Sequence, residues 1–376
     1  MEFLHDSPED RSLQVMGQGV AAGEEVSNKQ IIFREFAEGI PKESDMAVKS
    51  AQLKLKVPEG RPMAVLVRNL YLSCDPFMRL RMGPQMECCF PPFERGLPLV
   101  GFGVVQIVDS THLDFEEGEL LWGLTTWEEF SLLAEPFTDA YSLFKIKDLD
   151  LPLSYHIGLL GMPGLSAYIG FYEICSPKKG EYVFVSAAAG AIGHLVGQFA
   201  KLMGCYVVGS AGSKEKVDLL KNKLGFDDAF NHNDEVDFDA ALKRRFPEGI
   251  DIYFDNVGGD MLDAVLLNMR LHGRIAMSGM VSQYNLEQHQ GLRNLFCAVT
   301  RRVRMEGFMI ADYFDRYPEF YEEMRRYLKE GKIVYVEDVV HGIEGAPAAL
   351  IGLLTGQNVG KRVVAVAPDL IDVKRV

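Results

Sequence analysis

The sequence lacks the cysteine spacing of disulfide-rich and zinc-cluster proteins. It has six cysteines in 376 residues, and no two of them form a C-x-x-C pair. Small secreted domains and zinc clusters rely on closely spaced cysteines, so neither class fits this chain. We therefore expect free thiols in a reducing compartment at Cys74, Cys88, Cys89, Cys175, Cys205 and Cys297.

An excess of positive charge is also missing. The chain has 39 Lys and Arg against 53 Asp and Glu, which gives a formal net charge of -14. Proteins that bind nucleic acid usually present a basic surface to the phosphate backbone. The charge balance therefore argues against a nucleic-acid partner.

The first residues lack the pattern of a targeting segment. A signal peptide is basic and then apolar, and a transit peptide is rich in Arg. Here the same region carries the acidic residues Glu2, Asp6, Glu9 and Asp10. We expect residues 1–26 to be a disordered tail and the protein to be cytoplasmic.

The sequence also lacks an uninterrupted apolar run that is long enough to cross a bilayer. The longest uncharged stretch, Leu151–Tyr172, is long enough, but Pro163 and Gly164 break its middle. We predict a buried helix and turn there and no contact with a membrane.

The chain has the composition of an ordinary globular protein, with 48% hydrophobic and 24% charged residues. Short apolar or alternating runs such as Gly103–Val108 predict a β-rich domain in the first part of the chain. Alternation of period two returns at Ile333–Val336 and Arg362–Val366, which predicts that the chain re-enters that domain. We place a β-rich domain at residues 27–155 and 331–376, around a nucleotide-binding domain at residues 156–330.

The middle of the chain alternates strand signals with helical segments. The predicted strands are Tyr182–Val185, Cys205–Gly209, Ala229–Asn231, Ile250–Asn256, Gly273–Ser278 and Val303–Met309, and the predicted helices include Ala191–Leu202, Lys214–Lys223 and Glu319–Lys329. This order predicts an α/β fold with a doubly wound, mostly parallel sheet of the Rossmann type. A ligand is then expected at the carboxyl ends of the strands.

The turn after the first of these strands has the pattern of a dinucleotide-binding loop. Ala188, Gly190 and Gly193 occupy the three glycine positions of G-x-G-x-x-G, with Ala in the first. Glycine permits a sharp turn and lets a pyrophosphate approach the main chain at a helix N-terminus. Glycine can also serve helix packing alone, but the strand, turn and helix context favours a nucleotide cofactor.

The end of the second strand distinguishes the two nicotinamide cofactors. NAD-binding folds usually place an acidic residue there, which accepts from the ribose 2'-hydroxyl. This chain has no acid at that point and instead carries Ser213, Lys214 and Lys216. A serine N-cap with solvated lysines would look the same, but the absent acid and the added cations both favour NADPH.

The fourth strand ends in a small polar turn, Asp255–Gly259. Such a turn lies where a nicotinamide would bind, and it is equally typical of a plain glycine turn.

Taken together, these features resemble the zinc-independent medium-chain dehydrogenase/reductase superfamily, and within it the plant double-bond reductases (2-alkenal reductases) and the prostaglandin reductases. The similarity extends over nearly all residues from 26 to 366. Its most specific stretches are Asn69–Arg79, Trp122–Glu129, Gly161–Gly164, Val208–Ser213 and Phe254–Gly259.

The resemblance implies a GroES-like β-rich domain beside a Rossmann domain, with the active site in the cleft between them, and a homodimer. It implies that NADPH contacts Pro76, Ala187, Ala188, Ala189, Gly190, Ala191, Ile192, Gly193, Gly212, Lys216, His232, Asn256, Ser278, Phe308, Met309, Ile310 and Asn358. Of these, the segment 187–193 would hold the pyrophosphate, and Gly212 with Lys216 the 2'-phosphate.

Two positions depart from the family pattern. Phe77 follows Asp-Pro where these reductases usually have tyrosine, so a hydroxyl that could contact the substrate is absent. His232 stands where another tyrosine often lies near the 2'-phosphate. It either changes how the phosphate is held or is a solvated loop histidine.

A catalytic zinc is not expected. The zinc alcohol dehydrogenases of the superfamily have a ligand His in a Gly-His-Glu motif, and the corresponding run here, Leu99–Gly103, has Phe102 at that place. Adjacent cysteines such as Cys88 and Cys89 cannot easily enter one tetrahedral site, and no histidine is spaced to complete it.

Without a metal, the favoured chemistry is hydride transfer from NADPH to the β-carbon of an α,β-unsaturated aldehyde or ketone. Charge then develops on the carbonyl oxygen, and a preorganised donor must meet it. By position and by resemblance the donor is Tyr284, on the loop after the fifth strand, which we also assign with Phe77 to the substrate site. Tyr284 as a packing aromatic is the alternative.

Two other functions remain open at this stage. One is a zinc-free quinone or carbonyl reductase that uses the same cofactor site. The other is an NADPH-binding protein without turnover.

Overall fold

The computed structural model of the chain describes residues 23–83, 90–135 and 143–367. The predicted disordered tail lies mostly, and Cys88 and Cys89 lie entirely, outside the described residues. The strands of the described residues are β1 (Glu25–Phe33), β2 (Met46–Lys54), β3 (Val65–Ser73), β4 (Val100–Ser110), β5 (Leu120–Thr126), β6 (Phe130–Leu133), β7 (Leu143–Lys145), β8 (Tyr182–Val185), β9 (Tyr206–Ala211), β10 (Asp228–Asn231), β11 (Ile250–Asp255), β12 (Met269–Met277), β13 (Arg304–Gly307), β14 (Glu337–His341) and β15 (Lys361–Ala365).

Eight α-helices of the same described parts accompany them. They are α1 (Met162–Tyr168), α2 (Gly193–Leu202), α3 (Lys214–Asn222), α4 (Phe238–Arg245), α5 (Gly259–Asn268), α6 (Phe296–Thr300), α7 (Tyr317–Lys329) and α8 (Ala346–Leu354). Short 3-10 helices include Pro76–Met82, Leu153–Ile157 and Ile310–Arg316.

The nucleotide-binding half is built on one six-stranded sheet. Its strand order is β10-β9-β8-β11-β12-β13, and every neighbouring pair is parallel. Helices between the strands cover both faces of the sheet, as right-handed crossovers require. The predicted doubly wound α/β fold is therefore confirmed.

Strand and helix ends differ from the predicted ones at the turns. The helix predicted from Ala191 begins at Gly193, because the preceding residues form a tight turn in which the Gly190 N–H donates to the Ala187 carbonyl over 3.0 Å. Asn256 and Ser278, predicted as the last residues of strands, lie just past β11 and β12 and therefore in the turns.

The β-rich half consists of a two-stranded antiparallel pair, β1 and β2, and a seven-stranded sheet in the order β14-β15-β3-β4-β5-β7, with β6 paired to β3. Strand β15 runs antiparallel to β3, so the C-terminal part of the chain does return to the first sheet.

The predicted strand Ile333–Val336 is not a strand; β14 begins at Glu337. The reason is that Val334 satisfies its backbone groups on a side chain instead of on a neighbouring strand. The Gln198 amide donates to the Val334 carbonyl over 2.9 Å and accepts from its N–H over 2.7 Å.

The long uncharged stretch folds against the nucleotide-binding sheet. It forms the 3-10 helix Leu153–Ile157, helix α1 and a π-helical turn at Ile169–Ile174, and most of its apolar side chains are buried. Within the described ranges, no helix is long and apolar enough to span a membrane.

The two halves meet through aromatic side chains and a backbone bridge. Trp122 of β5 stacks on Phe144 at 4.7 Å between ring centroids and contacts Tyr317 of α7 at 5.3 Å. Gly190 and Gly360 form a parallel bridge between the nucleotide turn and the segment that leads into β15.

Candidate active site

The turn between β8 and α2 is shaped for close approach of a ligand to the main chain. Ala187 adopts a φ of 45°, in the left-handed region that a side chain rarely occupies. A Cβ on Gly193 would lie 2.6 Å from the Ala187 carbonyl oxygen, and one on Gly209 would lie 2.7 Å from Ala188 Cβ. Glycine is therefore required at both positions, and the turn leads directly into the positive end of the α2 dipole, which fits a pyrophosphate.

A segment from the C-terminal part of the chain crosses this turn. The Gly360 N–H donates to the Ala189 carbonyl over 2.9 Å, and the buried Asn358 donates from Nδ2 to the Gly360 carbonyl over 2.8 Å. Gly360 was not predicted from the sequence as part of the site. The fold requires glycine there, because a Cβ would lie 2.2 Å from the Val336 carbonyl oxygen. The predicted cofactor residue Asn358 is thus joined through Gly360 to the β8–α2 turn, although it is far away in sequence.

The two lysines after β9 have different environments. The Lys214 side chain is 86% exposed and pairs with Asp218, whereas Lys216 is only 9% exposed. The Lys216 ammonium donates to the Gly356 carbonyl over 2.6 Å, and burial lowers its pKa. A desolvated cation on a neutral carbonyl fits the addition of an anionic group such as a 2'-phosphate.

Gly212 and His232 lie next to this lysine. Ser213 caps α3, and its Oγ accepts from the Lys216 N–H over 3.3 Å, so the expected N-cap is present, but the buried Lys216 is not a solvated lysine as that alternative required. A Cβ on Gly212 would approach His232 Cε1 to 3.3 Å. His232 is half-buried, and burial followed by the Lys216 charge lowers its pKa, so it is not a freely solvated loop histidine.

Beyond β11, a buried carboxylate organises the small polar turn. Asp255 Oδ1 accepts from the Val257 and Gly258 N–H groups over 2.9 and 2.8 Å and from the Tyr253 hydroxyl over 2.7 Å. Burial raises the pKa of Asp255. Three donors on one oxygen fix the turn that carries Asn256.

The side chain of Asn256 is itself held in place. Its Nδ2 donates to the Ser186 carbonyl over 2.8 Å, and its backbone N–H donates to Ser186 Oγ over 3.1 Å. Ser186 and Tyr253 were missed from the sequence, where both read as part of strand or glycine-turn patterns.

The loop after β12 is bonded to that turn. The N–H groups of Ser278 and Gly279 donate to the Asp255 carbonyl over 2.9 and 3.2 Å, and Val281 donates to Asn256. The Met280 N–H donates to the Tyr284 hydroxyl over 3.1 Å. A phenol can accept such a bond and donate its own proton at the same time.

The predicted residues after β13 lie at the same edge, and Pro76 lies in the β-rich half. Phe308, Met309 and Ile310 follow β13, and Phe308 meets Phe254 edge-on at 6.5 Å. Pro76 opens the 3-10 helix Pro76–Met82. Because the strands are parallel, their carboxyl ends bring the predicted residues after β8, β9, β10, β11, β12 and β13 to one edge of the sheet.

Phe77 belongs to an aromatic cluster on the β-rich side. It stacks on Phe90 at 5.2 Å and contacts Phe102 edge-on at 6.2 Å. Phe102, which the sequence comparison placed at the ligand position of the zinc dehydrogenases, thus lies in a cluster of aromatic rings. Across residues 23–83, 90–135 and 143–367, no group of three or more His, Cys, Asp or Glu side chains is arranged to hold a metal ion.

Comparison with known proteins agrees with this architecture. A family model described as zinc-binding dehydrogenase matches residues 191–327, and one described as the N-terminal domain of oxidoreductase matches residues 29–140. The chain is 60% identical to 2-alkenal reductase (NADP(+)-dependent) of Nicotiana tabacum, over 92% of this chain and 99% of that protein. It is 56% identical to (+)-pulegone reductase of Mentha piperita, over 92% of this chain and 100% of that one.

A solved structure agrees as well. The crystal structure of CurA from Vibrio vulnificus in complex with NADPH superposes with a TM-score of 0.81 at 37% identity, over 90% of this chain and 99% of that one. Since the similarity covers nearly the full length of each protein, the chain belongs to the 2-alkenal reductase and prostaglandin reductase-like family of the medium-chain dehydrogenase/reductase superfamily.

Proposed function

We propose that this protein is an NADPH-dependent reductase of the C=C bond of α,β-unsaturated aldehydes and ketones. The observation that carries the proposal is the placement of the Tyr284 hydroxyl on a loop bonded to the Asn256 turn, at the carboxyl ends of β11 and β12. The near-full-length identity to a 2-alkenal reductase and a pulegone reductase supports it.

The cofactor residues fit NADPH through two features. The Ala187–Gly193 turn and the dipole of α2 would hold the pyrophosphate, and Asn358 and Gly360 fix the turn through hydrogen bonds. Lys216, beside Gly212 and His232, pairs with the 2'-phosphate, which NADH lacks. When bound, NADPH supplies the hydride that goes to the β-carbon of the substrate.

Tyr284 then acts on the substrate oxygen. Its phenol donates a hydrogen bond to the carbonyl, and that bond strengthens as negative charge develops on the oxygen during reduction. The Met280 N–H fixes the phenol by donating to it. Solvent water provides the proton for the α-carbon.

The aromatic cluster of Phe77, Phe90 and Phe102 forms the apolar side of the substrate site. An apolar wall without a hydroxyl at Phe77 favours substrates with a hydrophobic body and one carbonyl. The reaction is metal-free, because the position of a zinc ligand holds a phenylalanine within this cluster.

The test is a screen of NADPH consumption with product identification over 2-alkenals, aromatic enals, cyclic enones and quinones, with and without a metal chelator. We expect loss of the C=C bond in enals or enones, unaffected by chelation. Consumption with quinones alone would favour the quinone reductase alternative, and no consumption with any substrate would favour the protein without turnover.

We predict that Tyr284→Phe lowers kcat by about 10- to 100-fold with little change in the Kd of NADPH. Removal of one oxyanion donor typically costs about 10²–10³-fold in kcat, and a water molecule in the place of the lost hydroxyl would retain part of the stabilisation. The matched control is Tyr327→Phe on α7, whose hydroxyl donates to Glu323 away from the cleft. Unchanged turnover of Tyr284→Phe would assign this ring to packing.

The protein acts as a homodimer in this proposal. Strand β13 is one of the two edge strands of the nucleotide-binding sheet, and among the described residues no strand pairs with its outer side. Leu295, which precedes helix α6, and Phe296 and Val299 within it are exposed shortly before β13 in the chain. Together, an unpaired strand edge and exposed apolar side chains are typical of a subunit interface.

The proposed compartment is the cytoplasm. Cys74, Cys175 and Cys205 are buried free thiols, and Cys297 is a free thiol of intermediate exposure. Thiols that stay reduced are typical of cytosolic proteins.

A further inference from the structure

The loop that carries Tyr284 is attached at its far end to the β-rich half. The side-chain amide of Asn285 makes two contacts there. Its Oδ1 accepts from Arg79 Nε over 3.0 Å, and its Nδ2 donates to the Leu354 carbonyl over 3.2 Å. Arg79 lies in the 3-10 helix Pro76–Met82 and Leu354 at the end of α8, so both partners lie outside the nucleotide-binding sheet.

Arg79 is a buried cation that is bonded to neutral acceptors. It donates from Nε and Nη2 to the Gly39 carbonyl over 3.2 and 2.8 Å and from Nη2 to the Ala37 carbonyl over 3.2 Å. Burial lowers its pKa, the charge of Asp45 partly offsets this, and the hydrogen bonds described above end on carbonyl and amide oxygens. A buried guanidinium is costly to desolvate, and an apolar residue would serve packing better. Its planar, directional donors are suited to joining separate segments.

The near end of the same loop is held by the nucleotide-binding half. Val281 and Ser282 donate from their N–H groups to the carbonyls of Asn256 and Val257 over 3.1 and 3.2 Å. Tyr284 therefore lies between an anchor on the Asn256 turn and an anchor on Arg79. Arg79 is also two residues after Phe77 in one 3-10 helix, so the same short helix bears a substrate-site ring and the far anchor.

We propose that Arg79 and Asn285 form a latch across the cleft that positions Tyr284 for the reaction. This proposal rests on the proposed function, because it assumes that Tyr284 acts on the substrate. Both are positioning residues: they fix the distance between the Tyr284 hydroxyl and the substrate bound against Phe77, and they take no part in proton or hydride transfer.

A double-mutant cycle of Arg79→Met, Asn285→Ala and the double variant tests the latch. We expect each single variant to lower kcat by about 10-fold, because small misplacement of a catalytic group has large kinetic effects. The Kd of NADPH should change less than about 2-fold, since neither residue belongs to the phosphate sites. The double variant should lose less than the product of the two single losses, because both single variants remove the shared Arg79–Asn285 hydrogen bond. The latch would be overturned if the fold-losses in kcat of the two single variants multiplied in the double variant. It would also be overturned if the affinity for NADPH fell by as large a factor as kcat.

Amide hydrogen exchange provides a readout without turnover. Peptides that cover residues 280–286 should exchange faster in both single variants than in the wild-type protein, as expected for a loop that loses one anchor. The control is Arg81→Met, a buried arginine of the same 3-10 helix that donates to the Pro91 and Val100 carbonyls over 2.9 and 2.6 Å. It should leave exchange of 280–286 at the wild-type rate.

The two proposals fail separately. If the wild-type protein reduces no enal or enone, the proposed function is wrong, while the exchange comparison still decides whether Arg79 anchors the loop. If enals are reduced and the exchange of 280–286 is unchanged in Asn285→Ala, the latch is wrong. Asn285 is partly exposed on a loop, so its alanine variant keeps the test valid even if Arg79→Met fails to fold.

Discussion

At the scale of single residues, burial decides which of several similar side chains can bind a charged ligand. Lys214 and Lys216 are two positions apart at the start of α3, and one faces solvent while the other is enclosed by the segment that includes Gly356. An ammonium that is already stripped of water gains more from a phosphate than an exposed one does.

We predict that Lys216→Ala raises the KM for NADPH by about 10- to 100-fold, equivalent to the ~1.5–3 kcal/mol of a hydrogen bond to a charged group. The KM for NADH should be unchanged, because NADH has no 2'-phosphate. Initial rates with both cofactors measure this, and Lys214→Ala is the matched control with no expected effect. A parallel loss with NADH would mean that Lys216 only stabilises the fold.

At the scale of elements, the parallel sheet brings the site residues together at the carboxyl ends of its strands and ends in two edge strands, β10 and β13. The carboxyl ends of its strands meet on one side, so turns that are distant in sequence become neighbours. Strand β13 has four residues, and α6, shortly before it in the chain, exposes Phe296 by 72% and Val299 by 66%. These two features predict where the subunits of the proposed dimer meet.

Replacing Phe296 and Val299 together by Glu should convert the dimer to a monomer. Burying two carboxylates at an interface costs several kcal/mol of association free energy, whereas the same carboxylates stay solvated on the surface of the monomer. Sedimentation velocity measures the change. The control is Leu113→Glu in the turn between β4 and β5, where Leu113 is 87% exposed. A wild-type monomer would refute the dimer, and a double variant that stays dimeric would place the interface elsewhere.

At the scale of the whole molecule, stability depends on histidines that folding keeps neutral. His156, in the 3-10 helix Leu153–Ile157, is stacked on Tyr321 of α7, and burial lowers its pKa to about 4. Burial also lowers the pKa of His194 on α2 to about 4. In the unfolded chain both titrate near pH 6.5, so below that pH the unfolded state binds more protons. Their contribution is complete above pH 6.5 and is lost as the pH falls towards 4.

Lowering the pH from 7.5 to 5 should reduce the free energy of unfolding of the wild-type protein by about 2 kcal/mol more than that of the His156→Phe variant. The reason is that each pH unit below 6.5 costs about 1.4 kcal/mol for each buried neutral histidine. Urea unfolding at both pH values measures the difference. His341→Gln, at an exposed position on β14, should follow the wild-type protein. The same pH dependence in His156→Phe would show that His156 can be protonated in the folded state.

The strands, helices and turns of the nucleotide-binding half could be predicted from the sequence because the patterns that indicate them are local. Each strand is a short apolar run, each turn carries glycine or a polar residue, and the alternation of strands and helices along the chain predicts a doubly wound parallel sheet. The errors fall where tertiary contacts replace local pairing. Ile333–Val336 alternates like a strand, yet Val334 bonds to the Gln198 side chain, and no local pattern reveals such a partner.

By itself the sequence determined the fold class, the cofactor turn and the residue types at the site, because backbone conformation and hydrophobic periodicity are properties of neighbouring residues. Only the tertiary structure decided which lysine is desolvated, that Gly360 closes the pyrophosphate turn, and that Arg79 meets Asn285 across the cleft. Burial and hydrogen bonding between residues some 200 positions apart arise when the two halves of the molecule pack together, and no segment of the chain encodes them alone.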